Sequence, residues 1–120
     1  MNIPGFLLAK LYVKGTLRNT PDGFAFDLKN IIDSTSLTAV GPITVDGTAH
    51  EAADIALTIK DARSAASELS AAATLSLPVG VPLTVGVRSA PLAPGKHAIT
   101  VVAVSADIGR LAFDITDTVK

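Results

Sequence analysis

The sequence predicts an all-β fold, an antiparallel β-sandwich of seven or eight short strands with at most a short helix. Apolar and polar residues alternate in at least five segments, which is the period of a half-buried strand. Turn signals separate these segments at the spacing typical of a sandwich. The three strongest turn signals are Asp22-Gly23, Asp46-Gly47 and Asp107-Ile108-Gly109.

The first predicted hairpin lies near the N-terminus. Leu8 to Arg18 alternates between apolar and polar residues and predicts a strand. Asn19 to Gly23 contains proline, aspartate and glycine in succession, which is typical of a turn. Phe24 to Leu28 alternates again, so we expect these two segments to pair.

A second hairpin follows a loop over residues 30–36. Leu37 to Val45 predicts a third strand, bent at Gly41-Pro42 because proline cannot donate a hydrogen bond to a strand ladder. Asp46-Gly47 favours a two-residue hairpin turn, and Thr48 to Glu51 predicts the short return strand.

Residues 53–69 fit two different structures. At a period of two, Ile55, Leu57 and Ile59 fit a strand that ends at Lys60. At a period of 3.6, a different set lies on one face of a helix: Ile55, Ile59, Ala62, Ala66 and Leu69. We expect the strand, followed by a turn of helix near Ser64–Leu69, and the helical alternative for residues 50–70 remains open.

The C-terminal third gives the clearest strand signals. Leu83 to Val87 alternates after the break at Pro78–Pro82, and His97 to Ser105 is apolar and β-branched. Asp107-Ile108-Gly109 predicts a type I turn with a glycine bulge, because glycine adopts the left-handed conformation without steric cost. Leu111 to Thr116 then alternates. We expect Phe26 and Phe113 to face the core.

Composition restricts the class of protein. The 120 residues are enough for one domain, and we expect a single β-sandwich domain over residues 1–120. Hydrophobic residues make up 48% of the chain and the mean hydropathy is +0.46. This composition fits two alternatives: apolar surface on the isolated chain, which favours a homo-oligomer, or a surface that simply tolerates alanine. The strand from Ala53 to Ile59 has few guarding lysines or prolines, and we expect it to be an open edge.

Charge and cysteine content restrict partners and compartment. A net charge of −1 does not supply the basic field that nucleic acids require, so we expect no nucleic-acid partner. The chain has no cysteine, which favours a cytoplasmic location. The apolar stretch Ile3–Ala9 is too short for a signal core or a transmembrane segment. An unknown protein partner is the remaining expectation besides self-association.

Two small groups of residues are candidate sites. His50, Glu51 and Asp54 resemble half of a metalloprotease signature, without its second histidine, and we expect a solvated hairpin end there. A strand over Leu8–Arg18 would place three cations and an aromatic on one face: Lys10, Tyr12, Lys14 and Arg18. We expect an ordinary polar face, with Asp27 paired to a lysine across the hairpin, and the alternative is a partner-binding surface for an anionic partner. We expect no catalytic residue, no metal and no cofactor.

Two segments resemble known families. Leu92 to Val101 resembles the L-x-P-G-x-Y/H-x-I-x-V stretch of immunoglobulin-like and carboxypeptidase-regulatory-like sandwiches, which implies an immunoglobulin-like fold with His97 at a sheet corner. The N-terminal segments Ile3-Pro4-Gly5 and Lys10–Gly15 are similar to short bacterial proteins that carry a hydroxymethylglutaryl-CoA reductase name.

These observations favour a non-catalytic binding or structural module that self-associates, and an enzyme is the less favoured class. The alternative is a small enzyme or ligand-binding protein with its site near His50, Glu51 and Asp54. A pocket in which one histidine and two carboxylates converge would favour that alternative. A third class is a membrane-surface module that uses Phe6-Leu7-Leu8 and the basic residues that follow.

Overall fold

The computed structural model describes residues 3–119, which form two antiparallel β-sheets and several short helical turns. The one α-helical turn within these residues is α1 (Gly5–Leu8), and 3-10 turns span Ala9–Leu11, Ala52–Asp54 and Ala66–Glu68. The strands, numbered in chain order, are β1 (Arg18–Thr20), β2 (Gly23–Lys29), β3 (Thr35–Val45), β4 (Thr48–His50), β5 (Ile55–Ile59), β6 (Ala62–Ala65), β7 (Leu75–Leu77), β8 (Pro82–Arg88), β9 (Gly95–Ser105) and β10 (Gly109–Val119).

The strand order defines two sheets of five strands. The first sheet has the order β1-β2-β8-β5-β6, and the second has the order β10-β9-β3-β4, with β7 paired to the other half of β3. The all-β class is therefore confirmed, but the described residues form ten strands rather than seven or eight. The sequence did not predict β6 and β7. One reason is that the β5–β6 turn is made by Lys60-Asp61, and Lys60 adopts a positive φ of 55° without being glycine or asparagine.

The predicted strand from Leu8 to Arg18 is wrong except at Arg18, which begins β1. The backbone N–H groups of Leu7 and Leu8 both donate to the carbonyl of Pro4, which closes a helical turn, and Leu8 is buried in the core. Gly15 has a φ of +81°, so the backbone leaves the pleat there. The predicted turn before Phe24 is confirmed, but its first strand is only three residues long.

The other predicted hairpins are confirmed. Asp46 and Gly47 both have positive φ, at 50° and 87°, and join β3 to β4 as a two-residue turn. Gly109 has a φ of +95° opposite Ser105, where β9 turns into β10. The predicted bend at Gly41-Pro42 coincides with a register shift between β3 and β9.

Residues 53–69 form a strand, β5, followed by β6 and the 3-10 turn Ala66–Glu68, so the helical alternative is wrong and the predicted turn of helix is confirmed. β5 lies between β8 and β6, so it is not the open edge that we expected. The sequence did not show this because pairing with β8 joins segments that are almost thirty residues apart.

The core lies between the two sheets. Phe26 is fully buried and Phe113 is 6% exposed, which confirms that both face inward. The N-terminal segment closes one side of this core: α1 packs against β10, and Tyr12 and Val13 follow the outer edge of β2. The largest fully buried side chains include Phe24, Phe26, Leu8, Ile43, Ile55, Leu57 and Ile99.

Candidate functional site

The outer face of the first sheet carries a groove of about 520 Å³, which we call the outer groove. Its floor is a row of paired residues that crosses all five strands, and every member after the first is alanine or glycine: Arg18, Ala25, Gly86, Ala56 and Ala65. At a strand spacing of about 4.8 Å, this row is ~19 Å long. Because these small side chains leave space above the sheet, the floor is lower than the rows beside it.

Three arginines surround the outer groove. Arg18 stands at one end and pairs with Asp27 at 3.4 Å, and Arg88 stands on one side and donates two hydrogen bonds to Asp54 Oδ1, at 2.9 and 3.2 Å. Arg63 lies near the other end, on the edge strand β6, and makes no salt bridge within residues 3–119. The margins of the outer groove are therefore polar, and its floor is formed by small side chains.

The predicted basic face does not form. Lys10 lies in a 3-10 turn, Lys14 lies in the loop before β1, and only Arg18 belongs to a strand. The Oη of Tyr12 donates to Asp117 Oδ2 at 2.6 Å, and the centroid of its ring is 5.8 Å from that of Phe26. The physical reason is that residues 5–11 form helical turns. A shared face for Lys10, Tyr12, Lys14 and Arg18 requires the two-residue period of a strand.

The second predicted group, near the β3–β4 hairpin, is also divided. His50 lies at the end of β4 with its ring edge-on to Phe24, at a centroid distance of 5.6 Å. Glu51 is exposed, and Asp54 is paired with Arg88. Asp54 lines the outer groove, but His50 and Glu51 are absent from the lining described by residues 3–119. No group of three or more possible metal ligands exists within that range.

His97 has polar contacts through both ring nitrogens at the corner where β9 begins. Its Nδ1 lies 2.5 Å from Asp46 Oδ2, and its Nε2 lies 2.7 Å from the carbonyl oxygen of Ala93. The other oxygen of Asp46 accepts from the backbone N–H of Ala98 at 2.9 Å. The Ala93 carbonyl, followed by the Asp46 carboxylate, raises the pKa of His97. The Ala98 N–H, followed by His97, lowers the pKa of Asp46.

Asp117 holds the N-terminal segment. Besides Tyr12, it accepts from the backbone N–H of Gly15 at 2.9 Å and of Thr118 at 2.8 Å. Burial acts to raise the pKa of Asp117, but the hydrogen bonds from Tyr12 and these backbone N–H groups outweigh it and hold the pKa below its usual value. Burial and the bond to Asp117 raise the pKa of the Tyr12 phenol.

An exposed aliphatic cluster, which we call the apolar tip, lies where two loops meet. Ile31, Ile32 and Val79 are 52%, 42% and 51% exposed. The buried side chain of Asn30 orders both loops, since its Nδ2 donates to the carbonyls of Asp33 and Leu77, at 2.7 and 3.0 Å. The tip is therefore a fixed part of the fold rather than a loose loop end.

The stretch Phe6-Leu7-Leu8, on which the membrane-surface alternative depends, lies within α1 and does not face one way. Phe6 is 70% exposed and Leu7 is 38% exposed, but Leu8 is buried and unavailable to a bilayer. Within the described chain, no helix has the length and apolar character needed to cross a membrane.

The fold and the outer groove define a class, an all-β sandwich with an open cleft on the outer face of one sheet. The family model described as hydroxymethylglutaryl-CoA reductase, N-terminal domain, matches residues 7–120, and the chain belongs to this family. This agrees with the resemblance found in the N-terminal segment. No curated protein matches the sequence.

Sequence reasoning missed the outer groove. Ala25, Ala56 and Gly86 each occupy an outward position in a different strand, and each is unremarkable in its own segment. They form one row only because β8 lies between β2 and β5. No single segment carries a signal for the outer groove, because the strand order is needed to bring these residues together.

Proposed function

We propose that this protein is a non-catalytic binding module whose outer groove holds an elongated ligand with a carboxylate or phosphate group. The observation that carries the proposal is the row from Arg18 to Ala65, an open floor about 19 Å long with an arginine at one end and Arg63 near the other. The volume is within the range of small-molecule sites. An arginine guanidinium binds carboxylates and phosphates through two parallel N–H donors.

The margins of the groove support an anionic ligand. Arg18 and Arg88 are already paired with Asp27 and Asp54, so each can exchange a carboxylate partner for a ligand oxygen. Arg63 has no carboxylate partner within the described residues, so its guanidinium can bind a ligand anion without first breaking a salt bridge. The family description names the N-terminal domain of a reductase, and under our proposal the chain has an accessory binding role beside such an enzyme rather than the catalytic one.

The alternative of a small enzyme near His50, Glu51 and Asp54 has less support. It requires one histidine and two carboxylates that converge on a pocket. Asp22 and Asp54 do line the outer groove, but His50 packs on Phe24, on the core side of β2. Its ring therefore has a structural partner that accounts for its position.

The groove is tested by titrating the full chain with pyrophosphate and with succinate, recording backbone amide shifts by NMR. We expect shifts in β6, which carries Arg63, and in its neighbours β5 and β8, and a loss of affinity of roughly tenfold in Arg63→Ala, the magnitude of one charge-assisted hydrogen bond. Arg110→Ala, which removes an exposed arginine on β10 outside the groove lining, is the matched control. Equal losses in both variants, or shifts outside the first sheet only, would contradict the proposal.

Self-association is the second part of the proposal, and the apolar tip favours it. Three β-branched aliphatic side chains are held exposed by ordered loops, so burying them against a second copy costs little conformational entropy. The proposal also includes a cytoplasmic location, which the cysteine-free composition supports. It includes an immunoglobulin-like grouping of the fold, which the corner motif Leu92–Val101 supports.

A further inference from the structure

Both ring nitrogens of His97 face hydrogen-bond acceptors. Asp46 Oδ2 belongs to a carboxylate and the Ala93 oxygen belongs to a backbone carbonyl, and neither atom carries a hydrogen. A neutral imidazole has one N–H, so it satisfies one of these contacts and turns a lone pair toward the other oxygen. Two donors at once require the imidazolium.

We infer that His97 is a proton-operated clasp: as the imidazolium it ties the β3–β4 turn to the segment before β9, and on losing the Nε2 proton it releases Ala93. The order follows from the acceptors. A hydrogen bond to a carboxylate is stronger than one to a neutral carbonyl, so the neutral ring keeps Nδ1–H on Asp46. The Nε2 proton passes to water, and the Nε2 lone pair then faces the carbonyl oxygen of Ala93 and repels it.

Within the described residues, the clasp controls one of three hydrogen-bonded attachments of the segment 89–94. The first is at Ser89, whose backbone N–H donates to the Asp22 carbonyl at 3.1 Å. The second is Asn19 on β1, whose side chain donates to the Leu92 carbonyl at 2.9 Å and accepts from the Leu92 N–H at 2.8 Å. Two consecutive residues of this segment are therefore held, Leu92 by the first sheet and Ala93 by His97 of the second. Release of Ala93 leaves the attachments at Ser89 and Leu92, both to the first sheet and its β1–β2 turn.

The charged groups around His97 favour its protonated form. Asp46 faces it from the β3–β4 turn, and Asp117 lies opposite it in the β9–β10 register. Asp117 is itself held by Tyr12, whose phenol is neutral, and the adjacent cation on β9 is the exposed Lys96. The side chain of His97 is 11% exposed and that of Asp46 is 50% exposed, so the clasp lies at the surface, where its proton can exchange with water.

The inference is tested by ¹⁵N NMR of the full chain from about pH 5 to about pH 9, the range in which histidine titrates. At low pH we expect both ring nitrogens of His97 to carry hydrogen, and above the midpoint we expect the Nδ1–H form. The backbone amides of residues 90, 92 and 93 should shift with the same midpoint. A single protonated nitrogen at about pH 5, or amides that do not follow the ring, would overturn the clasp.

Two variants and a control complete the test. Asp46→Asn should lower the midpoint of His97 by about one pH unit or more, because it removes the facing negative charge. His97→Gln should abolish the pH response of the segment amides. His50→Gln removes the other histidine, which packs on Phe24, and should leave that response unchanged. If the segment responds equally in His97→Gln, another group controls it and the inference fails; if that variant does not fold, the wild-type titration and Asp46→Asn decide alone.

Discussion

Gly23 shows how one missing Cβ atom permits the pairing of two strands. A Cβ atom at this position would lie 2.0 Å from the carbonyl oxygen of Val87 and 2.6 Å from the backbone nitrogen of Ser89. Both atoms belong to the backbone, so no side-chain movement relieves the overlap. Gly23→Ala must therefore separate β2 from the end of β8.

We expect Gly23→Ala to reduce the free energy of unfolding by about 3 kcal/mol or more, at or above the upper range of overpacking penalties. Denaturant unfolding followed by circular dichroism measures this loss. Gly86→Ala is the matched control, since its Cβ would meet nothing closer than 3.8 Å. A Gly23→Ala variant as stable as Gly86→Ala would mean that β2 and β8 are not in this register.

Phe113 tests the register of β10 at the scale of an element. It faces the core and pairs with Val101, whereas Thr116 points outward from the same strand. A slip of one residue would exchange these two faces. We expect Phe113→Ala to cost about 3–5 kcal/mol and Thr116→Ala to cost less than about 0.5 kcal/mol in the same unfolding measurement. A loss below about 1 kcal/mol for Phe113→Ala would place this side chain at the surface.

Elements whose signals are local were predictable, and elements that depend on distant partners were not. The turns at Asp46-Gly47 and Gly109 follow from backbone conformations that few residues adopt, so adjacent residues suffice to predict them. The segment from Leu8 to Leu17 alternates as a strand does, yet the burial of Leu8 as the last residue of α1 overrides that pattern. Tertiary packing decided this case, as it commonly does when local preferences are weak.

The candidate sites divide in the same way. Asp54 and Arg18 were singled out from the sequence and both line the outer groove, but each was assigned to a different group. Arg63 and Arg88 were not singled out. These four residues share a place around the outer face of the first sheet. That shared place depends on the position of β8 between β2 and β5, which the sequence alone does not show.

The whole molecule should be most stable over a limited range of pH. Asp46 and Asp117 have folded pKa values below their ordinary value of 3.8, so their contribution is present above that pH and is lost as the pH falls through the lowered values. His97 has a folded pKa above its ordinary value of 6.5, so its contribution is complete below that pH and is lost as the pH rises through the raised value. We therefore expect greatest stability between about pH 4 and pH 6.5.

Thermal unfolding measured across this range checks the expectation. His97→Gln should flatten the alkaline side of the profile, and Asp117→Asn should flatten part of the acid side. An unchanged alkaline slope in His97→Gln would show that a different group titrates there.

Self-association is a second property of the whole molecule. If the apolar tip forms the interface between copies, Ile32→Lys should weaken the association by about tenfold or more, because the two tips could then meet only by burying an unpaired charge. Sedimentation equilibrium at micromolar concentration measures the mass. Thr116→Lys, on the outer face of β10, controls for added charge. A wild-type mass of 12.2 kDa throughout that range would contradict self-association.

The short N-terminal helix has a consequence for the solubility of the fold. β10 ends the second sheet and is eleven residues long, and Gly5 of α1 lies against the backbone of Ala112, its fourth residue. A strand edge of this length is a template on which other chains can stack as cross-β fibrils. Because α1 and the segment held by Asp117 lie against β10, we expect the residues that close this side of the core also to limit aggregation of the folded chain.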